Sequence, residues 1–229
     1  MTDPMTAFVF PPPAPVSVAI EGRAERFPVR RIFCVGRNYA EHAREMGHDP
    51  DAEPPFFFSK PADAVVESGA RIPYPSATTE LHHEAELVVA IGRAGVEVAE
   101  ADALSLVFGY AAGNDLTRRD LQAAAKAARR PWDMSKGFDQ SAVIGAIRPG
   151  AAPMGRIRCQ VGDKVTQDAA LAEMIWPVAG IIAHLSRLVA LAPGDLIMTG
   201  TPAGVGPIAR GETCVVEVDG LAPAAVTIL

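Results

Sequence analysis

The sequence predicts an α+β fold in which strands dominate. Candidate strands outnumber candidate helices and do not alternate with them regularly, which argues against a doubly wound parallel sheet. The apolar runs are short, rich in β-branched and aromatic residues, and bounded by Gly, Pro, Asn or Asp. The chain has 229 residues and is 49% hydrophobic, enough for one domain with a sizeable core.

Each element follows from its local pattern. Residues 1–30 contain "PPPAP" and little periodicity, so they read as an extended arm with a short strand near 16–20. "RIFCVG" (31–36) is a strand. In "NYAEHAREMG", Asn38 can cap a short helix and Gly47 can end it. Residues 48–55 are polar and proline-rich, a loop; "FFFSKPADAVV" begins as a strand and breaks at Pro61. "ELVVAIG" (86–92) is a strand ending at glycine, and "LSLVFGYAAGND" (104–115) is an apolar segment that emerges at Asn114 and Asp115. "TRRDLQAAAKAARR" (117–130) reads as a helix with Thr117 and Asp120 in a capping-box pattern. A strand is expected at 157–165 and a helix from Pro177 to Ala190, where apolar residues recur at helical spacing. "GDLIMTG" is a further strand, and the C-terminus forms two strands around the turn at Asp219 and Gly220.

Composition excludes several roles. Twenty-one basic against 27 acidic side chains give a net charge of −6, with no basic block, so no nucleic-acid partner is expected. Cys34, Cys159 and Cys214 are odd in number and lack CxxC spacing, as suits free thiols in a reducing compartment. The N-terminus lacks the pattern of a secretory signal, and no run reaches the ~20 apolar residues of a membrane span. The expectation is a soluble cytoplasmic protein.

The chemistry concentrates in "LHHEAELVVAIG" (81–92). Strand alternation puts Glu84 and Glu86 on one face with Val88 and Ala90, and Leu87, Val89 and Ile91 on the other. Two like charges so placed repel unless they face water or a cation. Asp115, ending another apolar segment, would complete a cage of hard oxygens suited to Mg²⁺, Mn²⁺ or Ca²⁺ rather than Zn²⁺. The sequence leaves open whether the three meet. His82 and His83 read either as ligands or as histidines bonded to a neighbouring loop. His42 and Glu45 stand at i and i+3 on one helix face, as an exposed ion pair or as a base oriented by a carboxylate. Lys136 and Arg119 are candidate cations for an anionic substrate. "MTGTPAGVGP" (198–207) lacks the G-K-[ST] ending of a phosphate loop, yet a strand-end turn with the Thr201 hydroxyl can hold a carboxylate.

Taken together, "VGRNYAEHAREMG", "HHEAELVVAIG", "GNDLTRRDLQ", "SKGFD" and "GDLIMTGTPAGVGP" resemble, in the same order, the fumarylacetoacetate hydrolase family, over about residues 30–229. Within it, "RFPVRRIFCVGRNYAEHAREMGHDP" and "PPFFFSKPADAV" look most like the fumarylpyruvate hydrolases of gentisate-type aromatic degradation. The resemblance implies a mixed β-sandwich roll, a catalytic domain over 31–229 with a lid segment near 38–55, and a homodimer. It implies Glu84, Glu86 and Asp115 as ligands of Mg²⁺ or Mn²⁺, with Ca²⁺ as a substitute. It makes His42 and Glu45 a water-activating dyad and Lys136 a catalytic residue, and it turns His82 and His83 into supporting residues. Arg119, Gln122 and Thr201 match substrate-contacting positions, and Arg37 adds positive charge for a small keto-acid or dicarboxylate substrate. The implied reaction is metal-dependent hydrolysis of an acylpyruvate C–C bond, with fumarylpyruvate first. The rivals are acylpyruvate or fumarylacetoacetate hydrolysis, oxaloacetate decarboxylation, isomerisation of a hydroxy-dienoate, and a non-catalytic metal-binding homologue.

Overall fold

The computed structural model describes residues 8–41 and 54–229. Its centre is an eight-stranded mixed sheet in the order Phe56–Lys60, Arg31–Gly36, Asp195–Met198, Ala85–Ile91, Val107–Asp115, Ala142–Ile144, Val65–Glu67, with Arg148–Pro149 also paired to Val107–Asp115. Asp195–Met198 runs parallel to Arg31–Gly36, and Ala142–Ile144 parallel to Val65–Glu67; the other pairs in this path are antiparallel. A second sheet of five strands has the order Lys164–Ala170, Arg156–Val161, Thr213–Val218, Ala224–Ile228, Ala70–Ile72. The architecture is α+β and predominantly β, as the patterning predicts.

All seven residues of Ala85–Ile91 are buried because this strand is covered on both faces. Leu87, Val89 and Ile91 enter the larger core, with Ile157, Cys159, Cys214 and Val216 of the second sheet and Ile181, Ile182 and Leu185 of the helix Val178–Leu188. Val88 and Ala90 enter a smaller core closed by Val18, Ile20, Phe27 and Val29. The strands Ser17–Ala19 and Arg26–Pro28 carry this cover as an antiparallel pair. The three cysteines are buried and free. No helix among the described residues is long and apolar enough to cross a membrane.

Three local readings differ from the sequence expectation. The single strand expected at 157–165 is two, Arg156–Val161 and Lys164–Ala170, paired antiparallel across a turn at Gly162 and Asp163. Thr117 does not cap a helix: it pairs with His82 in a small three-stranded sheet, and its hydroxyl donates to the Asp115 carbonyl at 3.0 Å. Asp120 instead accepts from the Thr78 hydroxyl at 2.6 Å and the Thr79 amide at 2.9 Å. The helix therefore spans Arg119–Ala127. Strand pairing to the neighbouring segment, a long-range contact, outweighs the local capping signal. Asn38 likewise serves a distant partner: its amide group donates to the carbonyls of Trp176 and Thr199 and its oxygen accepts from the Trp176 amide.

Candidate active site

Glu84 lies in the break between the strands Leu81–His83 and Ala85–Ile91, and Asp115 ends Val107–Asp115. Register brings them together. Ala85 pairs with Asn114 and Glu86 with Gly113, and the Asp115 amide donates to the Glu84 carbonyl at 2.9 Å. Glu84, Glu86 and Asp115 are all buried, and each offers an oxygen within 4.8 Å of the others.

Three buried carboxylates so close must be neutralised. Lys136 Nζ lies 2.7 Å from Glu84 Oε2 and 2.8 Å from Asp115 Oδ2. Lys60 Nζ lies 2.7 Å from Asp115 Oδ1, and Arg119 Nη2 lies 2.5 Å from Glu84 Oε1. Burial pushes the Lys136 ammonium down, but Asp115 and Glu84 outweigh it and hold its pKa above the ordinary lysine value. Lys60 is pushed down by burial, which Asp115 only partly offsets. Glu86 differs from its neighbours. Its Oε2 accepts from the Gly200 amide at 2.6 Å, yet burial and the charges of Asp115 and Glu84 drive its pKa well above the usual carboxylate range. A divalent cation among the three would remove that repulsion, and an all-oxygen donor set is what a hard ion takes. The residues fit such an ion.

Both histidines support the site from behind. Arg119 Nε donates to His82 Nδ1 at 3.3 Å. Burial and Arg119 hold His82 down to about 4, so at neutral pH it is an uncharged acceptor that orients the guanidinium. His83 Nδ1 donates to Gln167 Oε1 at 3.0 Å, and Gln167 Nε2 donates to Thr201 Oγ1 at 2.8 Å. A chain of hydrogen bonds thus runs from His83 to the Thr201 hydroxyl. The adjoining turn needs glycine at 200: φ is +95°, and a Cβ there would come within 2.7 Å of Asn38 Cβ.

The triad opens into a pocket lined by Glu84, Glu86, Arg37, Arg119, Gln122, Lys126, Lys136 and Thr201, with Phe56, Phe58 and Trp132 as its aromatic wall. Arg37 sits over the Phe56 ring, 5.2 Å from its centroid. Gln122 is buried and its Oε1 accepts from Arg119 Nη1 at 2.6 Å. Glu84, Glu86, Asp115, Arg37, Arg119, Gln122, Lys136 and Thr201 therefore converge on one place. His42 and Glu45, and most of the segment 38–55, lie outside the described residues. Sequence reasoning missed Lys60, Gln167 and Lys126. Lys126 carried a usable signal, since it follows Arg119 and Gln122 on one helix face; Lys60 and Gln167 carried none.

The comparisons agree with this geometry. Residues 31–229 match the family described as fumarylacetoacetate (FAA) hydrolase C-terminal. A fumarylpyruvate hydrolase from Ralstonia sp. is 42% identical over 183 residues, covering 79% of this chain and 95% of that protein. An oxaloacetate tautomerase from Escherichia coli is 35% identical over 205 residues, covering 87% of this chain and 93% of that one. The crystal structure of fumarylpyruvate hydrolase from Pseudomonas aeruginosa in complex with Mn²⁺ and pyruvate is 47% identical, with a TM-score of 0.95, covering 97% of this chain and 99% of that one. A buried acidic triad that suits a divalent metal, on a fold shared with a Mn²⁺-bound relative, leads to one assignment: this chain belongs to the fumarylacetoacetate hydrolase family.

Proposed function

We propose that the protein hydrolyses the C3–C4 bond of an acylpyruvate, fumarylpyruvate first, to give fumarate and pyruvate in gentisate-type aromatic catabolism. The observation that carries this reading is the joining of a buried oxygen triad to a cationic, aromatic-walled pocket within one site. Glu84, Glu86 and Asp115 would hold Mg²⁺ or Mn²⁺, which when bound supplies charge stabilisation for the oxygens of a 2-keto acid. Arg119 and Lys136, fixed on Glu84 and Asp115, present positive charge to the keto-acid end. His42, oriented by Glu45, takes a proton from water while the hydroxyl adds to the C4 carbonyl. Collapse of that adduct breaks C3–C4, places the electron pair on the pyruvate enolate and releases fumarate. Lys136 stabilises the developing enolate oxygen, and protonation at C3 gives pyruvate. The protein would act as a cytoplasmic homodimer.

The second reading is tautomerisation or decarboxylation of oxaloacetate on the same groups. It is favoured by relatives bearing those names at 35–38% identity. A substrate panel with Mg²⁺ or Mn²⁺ separates the two. Fumarylpyruvate hydrolysis faster than any reaction of oxaloacetate supports the first; turnover of oxaloacetate alone overturns it.

A further inference from the structure

The pocket holds one lysine that the reaction outlined above does not use. Arg119, Gln122 and Lys126 stand at i, i+3 and i+7 on the helix Arg119–Ala127, and all three line the pocket. The first two are committed near the triad: Arg119 to Glu84, and Gln122 to Arg119. Lys126 lies further along the same face. Among the described residues it has no carboxylate within ion-pair distance; its ammonium rests against the Trp132 ring, 5.2 Å from the centroid. The polar face of the helix thus runs away from the metal triad and ends in an ammonium beside the aromatic wall.

The spacing matches a particular kind of substrate. The rise of ~1.5 Å per residue puts Lys126 about 10 Å along the axis from Arg119. A C–C bond of ~1.5 Å advances an extended chain by roughly 1.25 Å, so the seven carbons of fumarylpyruvate separate its carboxylate carbons by about 7.5 Å. With the 2-keto-acid end at the triad, a flexible lysine side chain closes the remaining gap. The four carbons of oxaloacetate span only about 4 Å on the same count and end beside Arg119 and Gln122. Phe56, Phe58 and Trp132 would flank the unsaturated stretch in between.

The geometry points to Lys126 as the specificity-determining residue that binds the distal carboxylate of a long, dianionic acylpyruvate. This rests on the hydrolase reading above and goes beyond it by fixing how the second carboxylate is recognised. The local charge is consistent. Burial, Arg119 and Arg37 lower the Lys126 pKa to about 8, opposed by Glu84 and reinforced by Lys136. An anion against the ammonium would raise it again.

The test compares K126M and K126R with the parent on fumarylpyruvate and on acetylpyruvate, which lacks the distal carboxylate. K126M should raise KM for fumarylpyruvate about 10- to 100-fold, the size of one charge-assisted hydrogen bond, and affect kcat far less. Its effect on acetylpyruvate should be at least tenfold smaller, and K126R should regain most of the loss. Equal losses on both substrates, or none on either, overturn the assignment. Calorimetric titration of the Mn²⁺-loaded proteins with fumarate and with pyruvate adds a readout that needs no turnover. K126M should weaken fumarate at least tenfold and pyruvate much less. Fumarate binding that is equal in parent and variant, or absent from the parent, refutes the subsite. A parent that turns over no acylpyruvate yet loses fumarate binding in K126M overturns the hydrolase reading and leaves the subsite standing.

Discussion

Replacing Glu86 by Gln should have opposite effects on the metal-free and the metal-loaded protein. In the metal-free site Glu86 is buried beside Asp115 and Glu84, and its pKa is driven well above the ordinary range. The folded protein therefore retains a proton that the unfolded chain releases. Stability of the metal-free protein must fall as pH rises from the ordinary carboxylate pKa towards the raised one. Gln removes that dependence and keeps an oxygen for the Gly200 amide. Sparing the cost of keeping that buried carboxyl protonated above its ordinary pKa is worth about 2 kcal/mol, or roughly 4–8 °C in Tm for a chain of this size. With metal the order reverses. A ligand at 100 times its Kd stabilises by about 2.7 kcal/mol, roughly 5–11 °C, and Glu86→Gln should forfeit most of it. Differential scanning calorimetry at neutral pH, with EDTA and then with Mn²⁺, reads both limbs. A Tm that falls in EDTA refutes the electrostatic argument; a Mn²⁺ shift equal to the parent's refutes Glu86 as a ligand.

Three other changes probe neighbouring parts of the site. Lys60→Met removes a buried ammonium from Asp115 and from the carbonyls of Leu116 and Lys136, and should cost about 4 kcal/mol, roughly 8–16 °C by calorimetry; a drop below about 3 °C would show the charge to be dispensable. Gly200→Ala places a Cβ against Asn38 at φ +95° and disturbs the amide that holds Glu86, so it should lose about 2 kcal/mol and weaken Mn²⁺ binding in a metal titration. His42→Ala should retain Mn²⁺ affinity while slowing hydrolysis by about 10²- to 10⁴-fold; parent-like rates would remove it as the base.

Local patterns carry most of the metal site and little of what surrounds it. The pairing of Glu84 with Glu86 follows from strand alternation, a property of three consecutive residues. Its check is the division of Leu87, Val89 and Ile91 from Val88 and Ala90 between two cores. That Asp115 joins them depends on the register of Ala85 against Asn114, a long-range fact no local pattern encodes; only the resemblance supplied it. Lys60 shows the opposite limit. It follows three phenylalanines in an edge strand, where a lysine ordinarily reads as solvated, yet the described structure buries it completely. Its partner Asp115 lies in another strand of the same sheet, with Arg31–Gly36, Asp195–Met198 and Ala85–Ile91 between them. The Thr117–Asp120 pattern failed for the same reason, because a cap and a strand pairing compete for one residue and the pairing is invisible locally. The residues that balance charge at the triad are those that arrive from elsewhere in the chain. A sequence can thus state that three acids need neutralising before it can state which bases neutralise them. Glu86 has no ion pair among the described residues, and Lys136 only partly offsets its repulsion, which is left for a divalent ion to relieve.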